Sequence, residues 1–82
     1  MAQLERAVEA YRAAQARVPE AEAEARALVR AARDEVAAAR AELATAMVAA
    51  ALDGVRQVDI IRLTGYSREQ VRSILRAGGV DG

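Results

Sequence analysis

The chain has 82 residues, twelve Arg balanced by twelve Asp and Glu, and no Lys, His, Cys, Trp or Phe. These counts describe one small domain and exclude disulfides, cysteine-based metal sites and nucleophilic triads built on His or Cys. With two tyrosines as its only aromatics, the chain is short of large side chains for a core, and a partner chain is expected to complete the burial.

The opening MAQLERAVEA carries acidic residues and no long apolar run, unlike a secretory leader. No stretch approaches the roughly eighteen apolar residues that mark a membrane span. The expectation is a soluble, cytoplasmic protein that does not engage membrane. Residues 2–52 contain one proline, Pro19, and no glycine, and are dominated by Ala, Arg, Glu and Leu. All four are strong helix formers. Larger apolar side chains fall at Leu4, Val8, Tyr11, Val18, Val29, Val36 and Leu43. Alternating steps of four and three through these positions also pass Gln15, Glu22, Ala25, Ala32, Ala39, Ala46 and Ala50. That is a heptad seam, and Val29, Val36 and Leu43 are its candidate dimer contacts. Gln15 and Glu22 flank Pro19, so the seam is weakest where the helix is most prone to bend.

Proline removes a backbone donor and clashes with the preceding turn inside a helix, yet fits well as the first residue of a new one. Glu20, Glu22 and Glu24 follow Pro19, and acids favour a helix N-terminus. A kink or break is therefore expected at 17–20, with a second helix over 20–52. The fold class expected is all-α. Residues 1–52 form a long, coiled-coil-like dimerisation segment whose C-terminal part also packs on a head formed by 53–82. A single amphipathic helix folded onto its own neighbours is the plainer alternative. Parallel and antiparallel pairing are both compatible with the seam.

Asp53-Gly54 ends the long helix, with Gly54 suited to a left-handed residue and Val55 to the accompanying apolar contact. A short helix is predicted over 56–64, and Gly65 turns the chain. Ser67 caps the last helix, with Gln70 three residues on to complete a capping box. This helix, 67–77, stops at Gly78-Gly79, and the tail 80–82 is expected to be loose. On a helical wheel Val71, Ile74 and Leu75 share one side, with Glu69, Arg72, Ser73 and Arg76 opposite and Arg68 near the N-terminal edge. Ile60, Ile61 and Leu63 supply apolar contacts from the short helix. Leu43, Met47, Val48, Ala51 and Leu52 are expected to close the core from the long one.

Charge is unevenly spread. Residues 1–52 carry seven Arg against eight acids, whereas 56–76 carry five Arg against two. The basic balance thus sits on the helix–glycine turn–helix, the unit that lays one helix in a major groove. Arg meets phosphate and guanine with a planar two-pronged group, although a GC-rich coding bias also explains an all-Arg composition.

The run Asp59-Ile60-Ile61, Thr64-Gly65-Tyr66-Ser67, Gln70-Val71 and Ile74-Leu75 resembles the helix-turn-helix of lactose-repressor-type regulators and Hin-type resolvases. The resemblance covers about twenty residues and departs at Ile61, where those families usually have alanine to let the two helices touch. The whole layout is similar to small actinobacterial DNA-binding proteins of the nucleoid-associated kind, which pair a helical dimerisation segment with one such unit. Carried over by position, the resemblance implies base-edge contacts from Ser67, Arg68, Glu69, Arg72 and Ser73. Phosphate contacts fall to Arg56, Arg62, Tyr66 and Arg76. Plainer roles exist beside these: an ion pair with Arg72 for Glu69, turn packing for Tyr66, and solvated surface charge for the arginines.

The expected function is non-enzymatic binding of double-stranded DNA by a homodimer. An architectural, nucleoid-associated protein and a small transcriptional regulator both fit. No cofactor, metal or small-molecule ligand is expected. The alternative is a helical adaptor docking on a larger DNA-associated protein.

Overall fold

The computed structural model describes residues 1–80 and contains three helices: α1 (Ala2–Leu52), α2 (Gln57–Thr64) and α3 (Arg68–Ala77). Two compact units divide the chain, Met1–Glu35 and Val36–Gly82. The C-terminal unit thus begins inside α1 and includes that helix's last turns.

The first unit is helix throughout from Ala2, and every one of its residues is exposed. Of the kink or break expected at 17–20, the break is absent: α1 continues through Pro19. An interior proline costs about 3 kcal/mol, but a second helix would need its own nucleus. The sequence provides no Ser, Thr, Asp or Asn before Pro19 to cap one. Arg17 spans the proline instead, with its Nη1 at 3.2 Å from Glu20 Oε2 and 3.7 Å from Glu24 Oε1. These groups are well exposed, so the pairs contribute only tenths of a kcal/mol. Local propensity carries the helix through the proline.

The second unit packs α2 and α3 on each other and on the end of α1. Met47, Ile60, Val71 and Leu75 are buried at its centre. Val48, Ala51, Ile61, Tyr66, Ile74 and Val80 surround them, half-buried. Three expected core leucines lie elsewhere. Leu52 is 71% exposed, Leu63 85% and Leu43 37%. The α1 stripe turned to the head is Ala44, Met47, Val48 and Ala51, and Leu43 and Leu52 fall to either side of it. On α2, Ile60 and Ile61 take the inward positions and leave Leu63 outside.

Local signals set the ends of all three helices and the start of α3. Gly54 adopts φ 95°, Val55 N–H donates to Ala50 O at 3.0 Å and Gly54 N–H to Ala51 O at 3.0 Å. Those paired bonds are a Schellman stop. Arg56, expected as the first residue of α2, is its extended N-cap, without a side-chain capping bond. Gly65 ends α2 at φ 73°, and Thr64 ties the turn together. Its Oγ1 donates to Ile60 O at 2.8 Å and accepts from Tyr66 N–H at 3.2 Å.

A second Schellman stop closes α3, with Gly79 at φ 85° and Val80 N–H donating to Leu75 O at 2.9 Å. Val80, placed in the loose tail by sequence, is therefore hydrogen-bonded and packed against the core. Residues 81 and 82 of that tail lie outside the described residues. Gly78 serves packing: its φ is −87°, which any residue adopts, but a Cβ there would collide with the Val48 side chain. The close approach of α3 to α1 thus requires glycine at 78.

Candidate nucleic-acid interface

Helix α3 begins with a full capping box. Ser67 Oγ accepts from Gln70 N–H at 3.1 Å, and Gln70 Oε1 accepts from Ser67 N–H at 2.9 Å. Two of the first-turn donors are satisfied reciprocally, which fixes where the helix starts and how its side chains are phased. Val71 and Leu75 anchor the inner side at near-zero exposure. A helix pinned at its cap and along its core face holds its outer side chains in defined directions.

Arg68, Arg72 and Arg76 recur every four residues and step about 40° around the axis each time. They form one slanted stripe, all exposed, and none pairs with an acidic group among the described residues. Their charge is left to whatever approaches α3.

The other sequence-predicted residues separate into three places. Glu69 and Ser73 line an open groove of about 840 Å³ with Gln70, Ile74 and Tyr66, whose far wall is Ala37, Arg40, Ala41 and Ala44 of α1. Glu69 makes no ion pair with Arg72 or any other described residue. Arg56 and Arg62 both turn to Asp59, at 3.2 Å and 3.8 Å. Their availability to phosphate therefore competes with one carboxylate that is only partly exposed. Tyr66 is half-buried against the core, so its ring packs in the turn. Ser67 spends its acceptor on the cap, though its hydroxyl hydrogen remains free to donate.

Two residues missed by the sequence reading bear on this surface. Asp59 lies three residues from both Arg56 and Arg62, a spacing at which side chains meet on a helix. Arg40 faces the groove across from α3; its position four residues before Ala44, on the head-facing stripe, is the signal that would have found it.

The dimer-seam candidates Val29, Val36 and Leu43 are 50%, 56% and 37% exposed. No described residue of the chain covers them. No helix among the described residues is long and apolar enough to cross a membrane. Compared with protein-family models, curated proteins and solved structures, the chain matches none.

Proposed function

We propose that this chain binds double-stranded DNA without catalysing a reaction, as a homodimer that presents α3 to the major groove. The observation that carries the reading is the stripe Arg68, Arg72 and Arg76, exposed and unpaired among the described residues, on a helix whose start and inner face are both locked. Guanidinium groups held this way suit guanine O6 and N7 or phosphate oxygens. Arg68 and Arg72, in the first half of the helix, are assigned to base edges, and Arg76 to phosphate. Glu69 and Ser73 lie at the groove flank and reach base edges only where the duplex enters beside α1. Arg56 and Arg62 add phosphate contacts at the cost of releasing Asp59. Self-association through α1 supplies the two-fold symmetry that such units use on paired half-sites. The resemblance to nucleoid-associated proteins favours an architectural or small regulatory role in the cytoplasm.

An interaction adaptor is the second reading, favoured by Leu52 and Leu63, large apolar side chains left in solvent on the head. Fluorescence anisotropy with mixed-sequence duplexes over a salt series separates the two. DNA binding gives an affinity that falls steeply with salt, with a log–log slope of about −0.9 per phosphate contact. The combined Arg68→Ala and Arg72→Ala variant keeps its helical spectrum and binds duplex at least about tenfold more weakly, as loss of two charged contacts requires. Salt-insensitive behaviour, or no binding to any duplex at low salt, overturns the reading. Sequencing the DNA that co-sediments with the protein identifies the preferred site.

A further inference from the structure

We infer that residues 25–46 of α1 pair with a second copy of the chain as a parallel, in-register coiled coil. The inference rests on the self-association in the function proposed above and is independent of DNA. Three observations support it.

The seam is free. Ala25, Val29, Ala32, Val36, Ala39, Leu43 and Ala46 are all exposed, on a helix uninterrupted through this stretch. The head occupies a different stripe, Ala44, Met47, Val48 and Ala51, so core packing and pairing do not compete for the same side of the helix. The residues along the seam also fit: β-branched Val29 and Val36 take the a positions, as two-stranded parallel coils prefer, and alanines take the d positions and allow close approach.

Charge decides the direction. With Val29 at a, the e positions are Arg26, Arg33 and Arg40, and the charged g positions are Glu35 and Glu42. None of these five is ion-paired within the chain among the described residues. A parallel coil sets each g residue against the e residue five positions on in the partner, which places Glu35 beside the second copy's Arg40 twice per dimer. An antiparallel coil sets e against e and g against g. Centred anywhere in this stretch, it brings Arg against Arg. Pairing further toward the N-terminus would bring Glu5 to Arg33 but also Arg12 to Arg26, and would leave Leu43 unmatched. Glu22 at an a position meets its own copy in a parallel pair, which is why the tight coil starts at Ala25. Parallel pairing leads both heads out at the same end of the coil, the arrangement for a single two-fold site rather than for bridging distant ones.

The chain has no cysteine, so single cysteines report the geometry directly. Ala25→Cys and Ala39→Cys, each made in the full chain, should both oxidise efficiently to homodimers, because matching d positions face each other in a parallel coil. In an antiparallel pair at most one of the two lies at the two-fold axis. Heterodimers linking Ala25→Cys of one copy to Leu43→Cys of the other, a d and an a position that face each other only in an antiparallel coil centred on this stretch, formed from mixed variants of different tag size, overturn the parallel assignment and keep the dimer. Sedimentation that finds only monomer at millimolar concentration overturns self-association itself. Glu35→Arg should weaken dimerisation roughly threefold to tenfold, and adding Arg40→Glu should restore it, as two exposed pairs predict. Tighter association of Glu35→Arg would overturn the parallel assignment.

Discussion

Residues 1–35 and the head are helical for different reasons. In the first unit no side chain is buried, so the helix depends on alanine-rich propensity and, in the dimer proposed, on a second copy. In the second unit α2 has eight residues and α3 ten, well short of what holds an isolated helix in water. They persist because Met47, Ile60, Val71 and Leu75 share one buried centre. Long helices survive without tertiary contacts where propensity is high, whereas short ones need caps and a core. In the dimer proposed, the same chain therefore combines a region sensitive to concentration with a region sensitive to single core substitutions.

The largest effect that tests this contrast is at Leu75. Truncating it to alanine should cost about 2–5 kcal/mol, enough to unfold so small a head, while residues 1–35 keep their helix. Residue-resolved amide exchange reads both regions at once; equal loss of protection in both would erase the distinction. Pro19→Ala acts in the opposite place and direction. It should strengthen α1 locally by about 3 kcal/mol, seen as slower exchange around residues 15–24 with the head's melting unchanged.

Gly78→Ala tests the close approach of α3 to α1. The collision with Val48 should cost about 1–3 kcal/mol, and Val48→Ala should recover part of it; strict additivity in that double-mutant cycle would mean the two positions do not touch. Ser67→Ala removes half of the capping box, for a loss of about 1 kcal/mol in chemical denaturation. Smallest is Arg17→Ala, where only exposed ion pairs are lost and the helix should lose no more than about a few tenths of a kcal/mol, read as slightly faster amide exchange around residues 17–24.

Most of the fold was legible because its boundaries are written in adjacent residues. Gly54, Gly65 and the pair Ser67 with Gln70 each act through bonds spanning five residues or fewer, and all three behave as their residue types require. Pro19 left a kink and a break both open, and the break fails because a second helix would carry the cost of its own nucleus. Leu52 and Leu63 misled because hydrophobicity says that burial is favourable but not whether a partner element is there to provide it. Within the candidate interface, the arginine stripe on α3 was visible in the four-residue spacing. The engagement of Arg56 and Arg62 by Asp59 and the groove shared by Glu69, Ser73 and Arg40 were not, since both depend on where side chains end up in space.

What the amino-acid order alone determined is where the helices stop, where α3 starts and how apolar and charged positions are phased, because those follow from hydrogen bonds and steric preferences between near neighbours. Only the packed head decided which apolar residues are core, why Gly78 must lack a side chain and why Val80 is held. Those outcomes depend on how three helices cross and on the few ångströms between their surfaces, which no stretch of adjacent residues encodes.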